Sequence, residues 1–230
     1  MRQVVLDTET TGLEVGQGHR IVEVAAVELV DRRLTGRHFH RYVNPQRDVD
    51  EGALRVHGLD LAFLSDKPLF ADIASELLDY LRGAQLIIHN APFDTGFLAA
   101  EFERVGLPGG DGTLADVLDT LPMARELHPG KRNSLDALCE RYGVDNSGRT
   151  LHGALLDAEL LAEVYLAMTR GQESLINLLA AEDAVGLAAG DSGLQGLEIV
   201  VLRADQSELA AHEALLAGMG GKQPALWSQA

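Results

Sequence analysis

The apolar run Val4-Val5-Leu6 passes without a break into Asp7-Thr8-Glu9 and then Thr10-Thr11-Gly12, and this junction restricts the chain most. Apolar, β-branched residues in that order read as a buried strand over Val4–Glu9 that ends in acid. Ile21–Leu29 (IVEVAAVEL) alternates as a second strand. Arg37–Val43 is a third, with Arg32 and Arg33 in the turn before it, and Leu86–His89 is a short central one. Helices are predicted over Pro68–Leu81, Pro92–Val105, Leu114–Leu127, Ser134–Tyr142 and Leu155–Met168. Pro92 suits a first helical turn, Asn133 an N-cap, and Gly83, Gly106 and Gly143 each follow a helix end. Early strands, then one strand amid helices, predict an α/β domain with a mixed sheet.

Period-two alternation places Asp7 and Glu9 on one face of the first strand, at the edge where α/β proteins build sites. Adjacent carboxylates repel unless one is protonated or a cation lies between them, and hard divalent cations take carboxylate oxygens. An exposed D-x-E turn would carry the same residues. A further acid, Asp94, falls in the first turn of the helix after His89-Asn90-Ala91-Pro92-Phe93. The helix dipole alone would explain an acid there, though not the His-Asn-x-x-Phe-Asp setting. In Leu151-His152-Gly153-Ala154-Leu155-Leu156-Asp157, five helical positions amount to about 500°, which leaves the two side chains about 140° apart. His152 and Asp157 therefore converge only if His152 lies on the loop before the helix, a break that Gly153 would permit.

Four carboxylates (Asp7, Glu9, Asp94, Asp157) and a group that titrates near neutral pH (His152) are what two-metal phosphodiester hydrolysis requires. These motifs, with Val56-His57-Gly58 and Ala162-Glu163-Val164-Tyr165, resemble the histidine-containing DEDD exonucleases, and among them the proofreading subunits of replicative polymerases. The resemblance implies a ribonuclease H-like mixed β-sheet flanked by helices and a metal-dependent 3′→5′ exodeoxyribonuclease acting on single-stranded or frayed DNA 3′ ends. It implies that Asp7, Glu9 and Asp157 hold one of two Mg²⁺ or Mn²⁺ ions. Asp7 would bridge to the second ion, Asp94 would support that ion through water, and His152 would be the general base. His57 would contact the terminal nucleotide, with Thr10 and Phe93 lining its pocket. The chain departs from the family at Gly52, where relatives often carry an acid.

The resemblance divides the chain into an exonuclease domain (1–172), a clamp-binding peptide with a flexible linker (173–196) and a polymerase-docking tail (197–230). The clamp peptide starts at Gln172 and has Leu175 and Ile176 as anchors, but it lacks an aromatic one, so weak binding to a sliding clamp is expected. A plain helix-to-linker transition would read the same. Glu182–Gly196 reads as linker, Leu197–Leu202 as a short strand and Ser207–Leu216 as an amphipathic helix. An RNA-trimming enzyme of the same family would carry the same catalytic residues without needing such an extension. An adaptor with a relict site would not keep all five.

Charge opposes this reading. The 230 residues carry a net −16, with 27 acids against 17 bases up to position 170 and a further −6 beyond it. Phosphate-backbone affinity comes mainly from Lys and Arg, so the acidic balance weighs against a stand-alone nucleic-acid binder. Arg32, Arg33, Arg37, Arg41 and Arg47 run against the trend and fit either DNA phosphates or a solvated hairpin. One cysteine excludes an internal disulfide. With no apolar run long enough for a membrane span and no leader-like start, a cytoplasmic location without membrane contact is expected.

Overall fold

The computed structural model describes residues 1–107, 114, 116–149, 151–170 and 205–219. The described residues fall into two units, a sheet domain and the separate C-terminal helix. In the sheet domain β1 (Arg2–Thr10), β2 (Ile21–Val30), β3 (Arg33–Tyr42), β4 (Gln85–Ile88) and β5 (Val117–Asp119) form one five-stranded sheet in the order β3-β2-β1-β4-β5. β1–β2 and β2–β3 pair antiparallel, whereas β1–β4 and β4–β5 pair parallel, so the sheet is mixed as the sequence predicts.

Alternation along β1 sorts its side chains onto two cores. Val4 and Leu6 face α3 (Phe70–Leu81) and α4 (Ala91–Arg104), packing with Phe70, Leu77, Phe97 and Phe102. Val5 faces α7 (Ala154–Met168) through Ala158, Leu161 and Tyr165. Asp7 and Glu9 continue the α7-facing row, and Thr8 the opposite one. β2 is buried from Ile21 through Leu29, which its alternation does not suggest. Its acids are neutralised in place: Glu28 accepts from Arg2 at 2.7 Å and Thr35 at 2.9 Å, and Glu23 pairs with His40 at 2.7 Å.

β3 is the exposed edge, entered through a two-residue turn in which Asp31 (φ 47°) and Arg32 (φ 62°) both adopt left-handed backbone. Three members of the arginine cluster are engaged within the protein. Arg37 reaches Glu28 at 3.3 Å, Arg41 reaches Glu76 at 2.7 Å, and Arg32 donates to Thr169 at 2.7 Å. Charged side chains along a free edge oppose strand addition, which suits the solvated-hairpin reading.

Two local expectations are corrected, and two short helices are not foreseen. Leu114–Leu127 is not one helix: β5 comes first, and Asp119 then caps α5 (Thr120–Leu127) by accepting from the Leu121 N–H at 2.9 Å. A three-residue strand is too short to show a period. The cap of α6 (Leu135–Tyr142) is Ser134 rather than Asn133, its hydroxyl accepting from the Ala137 N–H. Two short helices, α1 (Glu51–His57) and α2 (Leu61–Leu64), lack a readable pattern because each buries a single residue, His57 and Leu64. The last helix, α8 (Gln206–Met219), matches the predicted one. It begins with a reciprocal cap in which Asp205 accepts from the Ser207 and Glu208 N–H groups while Glu208 accepts from Asp205. The predicted linker and the strand at 197–202 lie outside the described residues.

Gly12 has a packing reason to be glycine. An added Cβ would lie 2.3 Å from the His19 ring, which is buried and bonded to the Thr11 hydroxyl at 3.0 Å. Gly12→Ala is expected to cost about 1–3 kcal/mol through that overlap. A thermal melt that matches wild type would refute this packing argument.

Candidate metal centre and active site

The sheet brings its acids together because β1 and β4 are parallel, so both deliver the chain to the same edge. β1 supplies Asp7 and Glu9. Its pairing with β2 shifts register between Glu9 and Thr10, a bulge of the kind that re-aims side chains beside sites. After β4, Asn90 turns the chain in a left-handed conformation (φ 66°), held by its N–H on Asp119 at 3.0 Å. α4 starts directly afterwards and puts the buried Asp94 carboxyl under the Thr8 hydroxyl, which donates to it at 2.6 Å. Thr8 thus ties the first turn of α4 to the end of β1 beside the acid row.

His152 and Asp157 converge as the spacing requires. His152 lies on the loop, its N–H bonded to the Val56 carbonyl at 3.0 Å, and Asp157 is buried in the first turn of α7. The turn does not need a glycine, because Gly153 is extended (φ −157°), a conformation open to any residue. Ligand atoms of Glu9, His152 and Asp157 all lie within 4.8 Å of one another. A pocket of about 290 Å³ is lined by Asp7, Glu9, Asp94, His152 and Asp157, with Phe93 on its wall.

Crowding shifts the acids upward. Burial, then the charges of Asp94, Glu9 and Asp157, raise Asp7 well above the usual carboxylate range. Burial, then Asp157 and Glu23, push Glu9 up to about 8. Burial raises Asp94 to about 7 despite the Thr8 hydrogen bond. In the metal-free protein the folded state therefore holds protons that the unfolded chain has released, and stability must fall as pH rises from the ordinary carboxylate range to about 8. The melting temperature of EDTA-treated protein is expected to drop between pH 5 and pH 8.5, and Mg²⁺ to restore most at the upper end. A metal-free melt that is flat with pH would contradict the crowding.

Sequence reasoning missed Arg149. Its guanidinium forks onto Asp157 (Nε–Oδ1 2.5 Å, Nη2–Oδ2 2.6 Å), bonds Asp136 at 2.5 Å and donates to His152 Nδ1 at 3.1 Å. Burial opposes its charge, but the bonds to Asp157 and Asp136 outweigh this and hold it protonated. Nothing in Gly148-Arg149-Thr150 signals the contact. Carboxylate oxygens of Asp7, Glu9, Asp94 and Asp157 gathered beside one imidazole are the donor set that hard divalent ions take. The residues fit such ions.

An adjoining, mostly apolar pocket of about 370 Å³ is lined by Glu9, Thr10, Leu13, Val56, His57 and Phe93. Thr10, Phe93 and His57 are therefore together, as expected. Both His57 ring nitrogens are engaged, however: Nε2 donates to the Thr10 carbonyl at 3.2 Å and Nδ1 accepts from the Leu59 N–H at 3.0 Å. Burial lowers its pKa, and the neutral ring is left only packing contacts to offer. Gly52, where an acid would be familiar, lines the same pocket as bare backbone. Gln172, Leu175 and Ile176 lie outside the described residues.

A family model described as Exonuclease (RNase_T) matches residues 4–165. DNA polymerase III subunit epsilon of Pasteurella multocida is 48% identical over 239 residues, spanning 99% of this chain and 94% of that protein. The subunit of the same name from Escherichia coli K12 is 52% identical over 226 residues, spanning 94% and 92%. Among solved structures, exonuclease X in complex with 5′ overhanging duplex DNA is 26% identical with a TM-score of 0.56, covering 74% of this chain and 92% of that one. The nuclease domain of 3′hExo, a DEDDh family member bound to rAMP, shares the fold at 18% identity and a TM-score of 0.64, with the same coverage.

Proposed function

The chain belongs to the exonuclease family, among the epsilon subunits of DNA polymerase III, and from that premise we propose a proofreading enzyme that removes mispaired nucleotides 3′→5′ from DNA ends. The observation that carries this reading is the convergence of Asp7, Glu9, Asp94, Asp157 and His152 in one pocket. Asp7, Glu9 and Asp157 would hold one divalent ion, Mg²⁺ or Mn²⁺. Asp7 would be shared with a second ion, and Asp94 would support that one through water. Such ions supply Lewis-acid charge to the attacking and leaving oxygens of the phosphodiester. His152, exposed on its loop beside Asp157, takes the proton from the attacking water. The pocket of Leu13, Val56 and Phe93 receives the terminal nucleoside, and the His57 bond to the Thr10 carbonyl holds its wall.

Residues 1–172 form the catalytic part of this reading, 173–196 a weak sliding-clamp peptide with linker, and 197–230 a tail that docks on the catalytic subunit of the replicative polymerase. Support for the tail comes from α8, which forms with its own cap and exposes Leu209. No helix among the described residues is long and apolar enough to cross a membrane, and we place the protein in the cytoplasm. A chain this acidic is a poor collector of DNA, so tethering to a polymerase that already holds the primer supplies the effective concentration.

The test is end-labelled single-stranded DNA against RNA of the same sequence, with Mg²⁺ and then with EDTA. Metal-dependent release of 5′-mononucleotides, faster from DNA, is expected. Faster trimming of RNA would favour a ribonuclease, and no release from either would end the exonuclease reading. Deleting residues 178–230 should preserve hydrolysis and abolish co-elution with the polymerase subunit; co-elution of the truncated chain would remove the tail assignment.

A further inference from the structure

A second groove, of about 630 Å³, opens beside the ends of β4 and β5. It shares His89, Asn90 and Ser134 with the acid pocket, and carries Arg125 of α5 and Lys131 of the loop before α6. The apolar pocket at His57 shares Glu9 and Phe93 with the acid pocket and no lining residue with this groove. The acid pocket is thus the link between an apolar recess and a basic channel.

Charge sets the groove apart. Many cations of the sheet domain are spent on carboxylates, among them Arg2, Arg20, Arg37 and Arg41. Arg125 and Lys131 are exposed, and neither is ion-paired among the described residues. Asp119, which faces His89 from the end of β5, is committed to the N–H groups of Asn90 and Leu121. Burial keeps His89 neutral, and its Nδ1 is bonded to Thr120 at 2.9 Å, so that ring braces the wall rather than adding charge. The loop that carries Lys131 is fixed in advance. Arg141 bonds the Arg132 carbonyl at 2.7 Å and the Asn133 side chain at 3.1 Å, and Asn133 in turn donates to the Lys131 carbonyl. Unpaired cations on a pre-ordered wall bind an anion at the cost of ordering their own side chains, without a further cost for the backbone.

We propose that this groove holds the backbone of the DNA strand on the 5′ side of the scissile bond, with Arg125 and Lys131 each pairing with one phosphate. The inference rests on the exonuclease reading of the acid pocket. With the terminal nucleoside in the apolar recess and its phosphodiester among the acids, the strand leaves through the adjoining groove, where Arg125 and Lys131 are exposed without an ion-pair partner among the described residues. In a protein of net −16, this rim supplies local attraction that the overall field does not.

The test uses the full chain and two substrates: a 12-nucleotide oligothymidylate and the p-nitrophenyl ester of thymidine 5′-phosphate, which has no upstream phosphate. For the double variant Arg125→Ala, Lys131→Ala, the ratio of kcat/KM on the oligonucleotide to that on the ester is expected to fall at least ~10-fold. The log–log dependence of oligonucleotide kcat/KM on salt should flatten by about 1.4, since each single-strand phosphate contact contributes about 0.7. Arg125→Lys with Lys131→Arg should retain both properties. An unchanged ratio, whether neither substrate is affected or both suffer alike, would overturn the proposal. Wild-type protein inert on both substrates would instead overturn the exonuclease reading beneath it.

Discussion

Asp7→Ala is expected to lower turnover on single-stranded DNA at least ~100-fold, the scale of losing one preorganised charge stabiliser. Asp7 lies in the row that faces α7 and is the acid on which Asp94, Glu9 and Asp157 all press. Its removal takes away an oxygen that both ions would share. It also removes a half-buried carboxyl that is raised well above its usual range, which is an unfavourable group in the metal-free fold. Activity and stability should therefore separate: turnover collapses, while the metal-free melting temperature at pH 8 stays level or rises. Single-turnover rates with Mg²⁺ and a thermal melt in EDTA read the two quantities. A variant within tenfold of wild-type turnover would sink the role of Asp7, and a large fall in the metal-free melt would sink the crowding argument.

His152→Gln should cost about 10²–10⁴ in rate, the usual yield of a positioned general base. Glutamine keeps a polar side chain of similar reach but cannot accept a proton. The wild-type rate should climb with pH as an imidazole becomes neutral, and that limb should be missing from the variant. If the pH profile survives His152→Gln, another group is the base. A fall in rate with an unchanged profile would make His152 a positioning residue, bound to Val56 on one side and Arg149 on the other.

What could be read from the sequence, and what could not, follows the range of the physics. Asp7 and Glu9 share a face because strands alternate, and His152 must precede the helix because helical spacing would divide it from Asp157; both are local arguments and the geometry agrees. Arg149 reaches Asp136 across 13 positions, a contact set by tertiary packing alone. The charge of the Arg32–Arg47 segment was legible, but its use was not, since Glu28 and Glu76 come from a neighbouring strand and helix. β5 escaped because three residues carry no period, and α1 because its one buried side chain is a histidine bonded to the backbone of Thr10. The pairing of Arg125 with Lys131 across one groove depends on a loop closed by Arg141, which no run of adjacent residues announces.

The fork of Arg149 on Asp157 has a meaning for folding. Four carboxylates confined in one pocket would ordinarily make completion of the fold wait for cations. Here the chain carries its own counter-charge eight residues before Asp157, so α7 seats against the sheet with that carboxylate already paired. Closure of this helix then rests on a side chain of the same chain, and EDTA-treated protein is expected to keep its full helix content.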